Sequence, residues 1–326
     1  MAQSSALFAL AKIRLKQSKA IGQSDLSRLM DAGSFDEAKQ VLVDIGFMPS
    51  AEDDYEAYAD KYVSEASLAL RRYSPDELLS KAVLLQYDAH NLKVLFKARL
   101  LNVEPAYLYT CGVIELQKLK HMVVNHQYGH LPPSLAQCMN ELERLSVTGI
   151  EPYAIDAKID QALYRELLDI LKKVCNPRLS EYIHKKITFL NIIIALRLLK
   201  MQKSAELLSG VLLEGALISQ KQIVRSYANL HQLAPLLKQV DKTFALAFIR
   251  YLNGQISLAH LEMVGDNALL AVFKGLAYAP SDIDNLLLYS IASQRQAAAL
   301  RLIMAAKSSG VSNDSIRERM RDIYAK

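Results

Sequence analysis

Residues 187–199 read Ile-Thr-Phe-Leu-Asn-Ile-Ile-Ile-Ala-Leu-Arg-Leu-Leu and form the longest apolar stretch of the chain. A helix needs about 20 consecutive apolar residues to cross a bilayer. This stretch is shorter than that, and it contains Asn191 and Arg197. The pattern therefore predicts a helix that is buried inside a folded protein rather than one that spans a membrane.

The composition of the whole chain favours helices. Of 326 residues, 51% are hydrophobic and 22% are charged, while Gly and Pro number only 12 and 9, too few for a turn-rich all-β protein. Because domains typically run to roughly 100–200 residues, a chain of this length has room for two or three compact units. The sequence predicts an all-α protein with a sizeable core.

Local signals mark where helices begin and end. A capping box is predicted at Ser34-Phe-Asp-Glu37, where the Ser oxygen accepts from a backbone amide and the Glu reaches back. The helix that follows is expected to end at Gly46, with Pro49 just beyond. The same signals recur at Ser74-Pro-Asp-Glu77, with Pro75 predicted at the first helical position.

Charge and cysteine content limit the function and the compartment. The formal net charge is +5, and basic residues alternate with acidic ones, so nucleic-acid binding is not indicated. The cysteines, Cys111, Cys138 and Cys175, form no C-x-x-C pair and are expected to be free thiols. The first ten residues have no basic segment before their apolar residues, so we expect a cytoplasmic protein.

The sequence contains none of the common nucleotide-binding or hydrolase motifs that we sought: G-x-x-x-x-G-K-[ST], G-x-G-x-x-G, H-E-x-x-H and G-x-S-x-G are all absent. His121, His126 and His130 could hold a metal. Gly129 and the two prolines that follow predict a helix end or loop there, and no nearby carboxylate or thiol completes the ligand set. We therefore predict no catalytic residue, no metal and no cofactor.

Three helical heptads end in a base, at Lys97, Arg197 and Arg301. They read Asn91-Leu-Lys-Val-Leu-Phe-Lys97, Asn191-Ile-Ile-Ile-Ala-Leu-Arg197 and Arg295-Gln-Ala-Ala-Ala-Leu-Arg301. The first two bases are 100 positions apart and the next two are 104 apart. Since self-similarity at a fixed period indicates repeated units, the sequence predicts three helical units, at about 1–105, 106–215 and 216–326.

The C-terminal region carries a more specific pattern, Leu300-Arg-Leu-Ile-Met-Ala-Ala-Lys307, then Gly310, then Ile316-Arg-Glu-Arg-Met-Arg-Asp-Ile-Tyr324. Three further segments agree with it: Tyr87-Asp-Ala-His-Asn-Leu-Lys-Val-Leu-Phe-Lys97, Asp25-Leu-Ser-Arg-Leu-Met30 leading to Glu37-Ala, and Leu213-Glu-Gly215. Together they resemble the C subunits of the prokaryotic V/A-type rotary ATPases, a family related to the d subunit of eukaryotic V-ATPases. The resemblance covers nearly the whole chain.

The resemblance implies three similar helical domains arranged as a funnel, in a non-catalytic central-stalk subunit. Such a subunit is a socket between the rotating central stalk and the membrane proteolipid ring during ATP-linked transport of protons or sodium ions. The implied partners are the proteolipid ring subunits and the axle subunits of the stalk. The protein would be attached to the membrane only peripherally, through the ring, and the isolated chain is expected to be monomeric.

The matching repeat positions are expected to fix helix packing within each unit, because buried polar groups need partners. These positions are Asp88, Asn91, Lys97, Asn191, Arg197 and Arg301. Near the C-terminus, Arg317, Arg319 and Arg321 are possible contacts to an acidic partner. The sequence departs from the family pattern at His90, where an aromatic is frequent, and at Gln296, where an acidic residue is usual.

Two other functions are compatible with the sequence. One is a helical-repeat scaffold of another complex, which would share the composition and capping signals but need not keep the C-terminal pattern. Deletion after Met304 should abolish assembly only if the rotary function holds. The other is an enzyme with an unrecognised site in the His121–His130 region, which a metal analysis would test.

Overall fold

The computed structural model describes residues 21–274, 282–317 and 319–323, together with Ala11 and Leu15. Within these ranges every regular element is a helix, so the all-α prediction is confirmed. Two residues of the C-terminal sequence pattern, Glu318 and Tyr324, lie outside the described part of the chain.

The described helices follow one another along the chain, with a long loop between Leu101 and Leu116. In chain order they are α1 (Gln23–Asp31), α2 (Phe35–Asp44), α3 (Tyr55–Tyr73), α4 (Glu77–Leu101), α5 (Leu116–Val124), α6 (Pro133–Ser146), α7 (Pro152–Leu171), α8 (Pro177–Lys200), α9 (Ala205–Val211), α10 (Gln220–Arg225), a 3-10 turn (Leu230–Leu233), α11 (Ala234–Val240), α12 (Lys242–Leu252), α13 (Leu258–Ala271), α14 (Asp282–Ser308) and α15 (Asn313–Arg317).

The chain divides into two compact units. Unit 1 combines Met1–Glu77 with Gly254–Lys326, so it is built from the two ends of the chain, and unit 2 is the continuous segment Leu78–Asn253. This grouping by proximity does not test whether the chain consists of three repeated units. The three-unit division at 1–105, 106–215 and 216–326 therefore stays a prediction.

In unit 1, α3 and α14, the two longest of its described helices, pack against each other. Small residues are buried on both helices, including Ala59 and Ala66 on α3 and Ser293 and Ala297 on α14. Small side chains allow the helix axes to approach closely, because little volume separates them. This close pair forms the centre of unit 1.

In unit 2, the predicted buried stretch lies within α8. Its residues Ile187, Phe189 and Ile192 are buried, and the Phe189 ring stacks on Phe244 of α12 with 4.0 Å between ring centroids. The core of unit 2 therefore reaches from the middle of α8 to α12. Among the described residues, no helix is long and apolar enough to cross a membrane.

One helix start follows the prediction and one does not. The Ser34 oxygen accepts from the Glu37 amide at 3.1 Å and so caps α2, although Glu37 reaches the Gly33 amide at 2.7 Å rather than that of Ser34. The prediction that Pro75 occupies the first turn of α4 is wrong, because α4 begins at Glu77. Ser74 ends α3, and its hydroxyl donates to the Asp76 carbonyl at 2.6 Å, so the chain must turn before a new helix can start.

Candidate functional site

Asn91 fastens the loop after α4 to the helix itself. Its side-chain amide donates to the Tyr109 carbonyl at 2.8 Å, and its oxygen accepts from the Tyr109 amide at 2.8 Å. The side chain is buried, so both hydrogen bonds are shielded from water. One asparagine thereby satisfies the donor and the acceptor of a loop residue that has no helical partner.

Asp88 lies one turn earlier on the same face of α4 and holds the far end of that loop. Its fully buried carboxylate accepts from the amides of Val113 at 2.7 Å and Ile114 at 3.2 Å. Gly112 lies against this carboxylate so closely that a Cβ at that position would overlap the Asp88 oxygen. The loop can approach α4 in this way only because position 112 has no side chain.

Asn191 of α8 makes the same two contacts with a different loop. It donates to the Leu213 carbonyl at 2.8 Å and accepts from the Leu213 amide at 2.8 Å. Three residues earlier, the Thr188 hydroxyl accepts from the Leu217 amide at 2.8 Å and donates to the His184 carbonyl at 2.7 Å. Thr188 therefore takes the place that Asp88 has on α4.

The two arrangements share their geometry and the asparagine. In each, an Asn binds one loop residue through both backbone groups, and a polar side chain three positions earlier accepts an amide four positions further along the loop. We call each such set a loop clamp. Thr188 was not predicted from the sequence because the compared heptads began at Asn191, one helical turn too late.

The third heptad lies in unit 1 and forms a bridge between helices instead. The Arg301 guanidinium of α14 donates to Glu56 at 2.7 Å and also pairs with Asp60, both on α3. Arg295, which aligns with the two asparagines, donates to the Asp266 carbonyl at 2.5 Å. Arg301 thus joins α14 to the start of α3.

The base at the end of the first heptad also pairs with another helix. Lys97 of α4 donates to Asp156 of α7 at 2.8 Å, and Lys93, one turn earlier, donates to Asp160 at 2.6 Å. Arg197 is exposed in the last turn of α8, where a positive charge favours the negative end of the helix dipole. The predicted packing positions therefore lie in three different surroundings.

Two of the three C-terminal bases form ion pairs inside unit 1. Arg317 lies 3.5 Å from Asp31, and Arg321 pairs with Asp266 of α13. Arg319 is exposed, and no ion pair to it occurs within the described ranges. Of the three predicted partner contacts, Arg319 is thus the one that forms no ion pair with the described residues of this unit.

Lys307, in the C-terminal sequence pattern, binds backbone carbonyls at the end of α1. Its ammonium group donates to the carbonyls of Met30 and Ala32 at 2.5 Å each and to the Asn313 side chain at 2.9 Å. An ammonium has three donors, and all three are used here. The last carbonyls of a helix lack helical partners, so this lysine also stabilises the end of α1.

The His121–His130 region is built around a carboxylate that the sequence did not predict there. Glu143 of α6 accepts two hydrogen bonds from Arg99, at 2.7 and 2.8 Å, and one from the Tyr128 hydroxyl, and its carboxylate lies 2.9 Å from His126. Burial raises the pKa of the Glu143 carboxyl, but these hydrogen bonds outweigh burial and bring the pKa below its usual value.

The fold thus brings Glu143 beside His126, although the sequence around these histidines offers no carboxylate. The reason is tertiary, because α6 begins only after the loop and returns Glu143 to it. The carboxylate is already occupied by a guanidinium and a phenol. Among the residues that the structure describes, no group of three or more His, Cys, Asp or Glu side chains could hold a metal ion.

The two departures from the family pattern have clear local roles. His90 makes edge-to-face contacts with the rings of Tyr107 and Tyr109 and hydrogen-bonds the Tyr107 carbonyl at 3.2 Å, so it fills an aromatic position. Gln296 is buried, accepts from the Tyr62 hydroxyl at 2.5 Å and donates to the Ile21 carbonyl at 3.1 Å. An ionised acid at position 296 could not make the second bond.

Comparison with known proteins gives two matches that run along the chain. The profile of the family described as ATP synthase (C/AC39) subunit matches residues 9–319. The chain is 23% identical over 322 residues to the C subunit of the V-type sodium ATPase of Enterococcus hirae, a similarity that covers 96% of this chain and 97% of that protein. Both matches include the two loop clamps and the Arg301 bridge.

Proposed function

The chain belongs to the family of ATP synthase (C/AC39) subunits, and on this premise we propose that it is a non-catalytic central-stalk subunit of a V/A-type rotary ATPase. In this function the chain is a socket: one surface receives the axle subunits of the central stalk, and another binds the proteolipid ring. It transmits rotation between them during ATP-linked ion transport.

The observation that carries the proposal is the extent of the family match, which includes both units of the chain. A match confined to one unit would suggest a shared domain in a protein of different function. Here the whole length is shared with a protein named as part of a V-type sodium ATPase. The proposal therefore concerns the whole chain.

The internal bracing of each unit supports a role in transmitting torque. A part that passes rotation from one partner to another must resist twisting, so its helices need fixed relative positions. In unit 1, Arg301 joins α14 to α3, and in unit 2, Lys93 and Lys97 join α4 to α7. The loop clamps also fix the connections that follow α4 and α8.

We propose peripheral attachment to the membrane through the ring, on the cytoplasmic side. Binding between surfaces with polar rims weakens when salt screens the charges of those rims. Washing membranes with raised salt or a chelator, without detergent, should therefore release the protein. A requirement for detergent would count against attachment through protein contacts alone.

The test is to mix the purified chain with detergent-solubilised proteolipid ring and, separately, with the axle subunits, and to measure complex formation by co-elution. Binding to both is the expected result. Binding to neither, by a chain whose circular dichroism remains helical, would reject the socket function and leave a scaffold of another complex.

A point substitution tests the role of the C-terminus better than a deletion does. Deletion after Met304 removes Lys307 and with it the contacts to Met30 and Ala32, so such a chain would lose the closure of α1 as well as any partner contact. Replacing Arg319 alone with Ala leaves those contacts in place. Loss of ring or axle binding by Arg319→Ala would assign the C-terminus to an interface.

A further inference from the structure

The last part of unit 2 differs in charge from the rest of the unit. Residues 215–253 contain five Lys or Arg and one acidic residue, whereas residues 78–214 contain 17 Lys or Arg and 13 Asp or Glu. The single acidic residue, Asp241, accepts from the Phe244 amide at 2.9 Å and lies 3.9 Å from Lys185. Its charge is engaged in capping α12 and does not balance the five bases.

The five bases are all exposed: Lys221, Arg225, Lys238, Lys242 and Arg250. No ion pair to any of them occurs in the part of the chain that the structure describes. Elsewhere in unit 2 many surface bases have a carboxylate within reach, as Lys158 has Glu141 at 2.6 Å and Arg165 has Glu214 at 3.2 Å. The positive charge of residues 215–253 is therefore left facing outward.

Helix α12 arranges part of this charge around an exposed leucine. Lys242, Leu246 and Arg250 recur at intervals of four, so they lie along one side of the helix. Leu246 is 58% exposed, whereas Phe244 and Phe248 on the opposite side are buried in the core. Lys238 lies on α11, which the extended backbone of Asp241 separates from α12, so it is not part of this row. We call Lys242, Leu246 and Arg250 the basic face.

We propose that the basic face is a docking surface for an acidic protein segment that carries an apolar side chain. The carboxylates of that segment would pair with Lys242 and Arg250, and its apolar side chain would cover Leu246. The inference rests on the proposed function, because the partner we have in mind is another component of the rotary complex.

A protein partner fits this surface better than a lipid bilayer does. A helix that lies in a membrane interface buries a broad apolar side among the lipids. The broad apolar side of α12 is already packed in the core, and one leucine is left outside. A single apolar contact surrounded by charges is instead typical of protein interfaces, in which an apolar centre has a polar rim and Arg is enriched.

The experiment compares two charge-reversal variants that carry the same change in charge at different positions of unit 2. The test variant is Lys242→Glu/Arg250→Glu, and the matched control is Lys173→Glu/Lys203→Glu, which changes two exposed bases of the same unit by the same total charge. Each full-length chain is titrated against detergent-solubilised rotary complex from which this protein has been removed, in low and in raised salt.

We expect the test variant to bind about tenfold more weakly than the wild type in low salt, since each lost charge pair costs up to about 1 kcal/mol and tenfold is about 1.4 kcal/mol. The control should bind like the wild type, and Leu246→Ala should weaken binding at both salt concentrations. Raised salt should reduce the difference between wild type and test variant, because salt screens exposed charges.

Failure of the proposed function and failure of the basic face would give different results. A wild-type chain that does not bind the complex overturns the proposed function. A test variant that binds as well as the wild type, or a control that is weakened equally, overturns the basic face alone. If the test variant melts earlier than the wild type, the neutral pair Lys242→Gln/Arg250→Gln replaces it, and unchanged binding of that pair overturns the inference.

Two other occupants of the basic face, a lipid bilayer and a second copy of this chain, are tested separately. Vesicles of phosphatidylglycerol and phosphatidylcholine should not retain the wild-type chain, and retention that the test variant loses would assign the face to lipid. Sedimentation velocity of the chain alone should give a monomer, and a dimer abolished by the test variant would assign the face to a second copy. Either result would overturn the inference.

Discussion

Asn91 and Asn191 lie 100 positions apart, and each closes the same pair of 2.8 Å hydrogen bonds with the backbone amide and carbonyl of one loop residue. An isolated match between two heptads in a helical protein could arise by chance. Agreement in side-chain geometry is a stronger relationship, because it involves two loops of different sequence. Two loops of unit 2 are therefore held by α4 and α8 in the same way.

Replacing either asparagine with aspartate should destabilise the chain. The carboxylate keeps the acceptor for the loop amide but loses the donor, and it places a charge against a carbonyl oxygen. We expect Asn91→Asp and Asn191→Asp each to lower the free energy of unfolding by about 1–3 kcal/mol, measured by urea denaturation. The control is Asn140→Asp, on the exposed surface of α6. Equal stability of all three variants would contradict the clamp.

Gly112→Ala should be strongly destabilising because a Cβ would overlap the Asp88 carboxylate. We expect a loss of about 2 kcal/mol or more, since neither the buried carboxylate nor the loop backbone can move freely. Gly129→Ala is the control, because a Cβ there meets nothing within 4 Å. In a double-mutant cycle, Asp88→Ala should remove most of the extra cost of Gly112→Ala, and strict additivity would rule out the overlap as its cause.

Arg301→Ala should lower the melting temperature by removing the bridge between α14 and α3. Because the arginine and both carboxylates are partly exposed, we expect a modest loss of about 1–2 kcal/mol. Arg317→Ala, which removes ion pairs with the more exposed Asp31 and Asp314, should cost less than about 0.5 kcal/mol. An unchanged melting temperature and unchanged ring binding for Arg301→Ala would mean that Arg301 does not hold the helices together.

Gln296→Glu should produce a pH-dependent loss of stability. An ionised Glu cannot donate to the Ile21 carbonyl, and its buried charge has no basic partner among the contacts of Gln296, so we expect a loss of about 2–4 kcal/mol at pH 7. Burial should raise the pKa of the new carboxyl, so stability should recover as the pH falls and the protonated acid can donate. Exposed Gln255→Glu serves as the control, and a pH-independent loss would refute this explanation.

His90 should make the wild-type chain less stable in mild acid. Burial lowers the pKa of the His90 imidazole, and the charges of Lys93 and Lys97 lower it further, while the hydrogen bond to Tyr107 opposes them. A histidine with a lowered pKa in the folded state favours unfolding as the pH falls below its ordinary value, because the unfolded chain binds the proton more readily.

The His90→Phe variant tests this linkage. It keeps an aromatic ring beside Tyr107 and Tyr109 but cannot bind a proton, so its stability should fall less than that of the wild type between pH 7 and pH 5. The measurement is the urea midpoint at several pH values, with His231→Gln as an exposed control. Parallel pH profiles for wild type and His90→Phe would exclude His90 as the source.

The features that sequence could predict are those with a local cause. The Ser34 cap, the end of α2 near Gly46 and the burial of most of residues 187–196 all depend on side chains within a few positions of one another. All the residues that produce such a signal lie close together in the sequence. Even so, Pro75 was misplaced, because the turn at Ser74 and Asp76 competes with the helix signal over the same four residues.

The features that sequence could not predict depend on partners far along the chain. Gln296 meets Ile21, Arg301 meets Glu56, and Glu143 returns to the loop of His126 only after α6 has formed. No spacing within a segment records these pairs. The heptads did indicate which helical positions matter, but whether a base joins two helices or a polar residue holds a loop is decided by what packs opposite.

The loop clamps have a consequence for how this sequence can drift over evolutionary time. The clamp hydrogen bonds of each Asn go to main-chain atoms, so Tyr109 and Leu213 occupy equivalent places although their side chains share no chemistry. The clamp thus constrains a few helix positions, and its hydrogen bonds require no particular side chain at the residue that the Asn binds. A fold fixed in this manner tolerates extensive substitution, which agrees with 23% identity persisting over almost the full length of a bacterial relative.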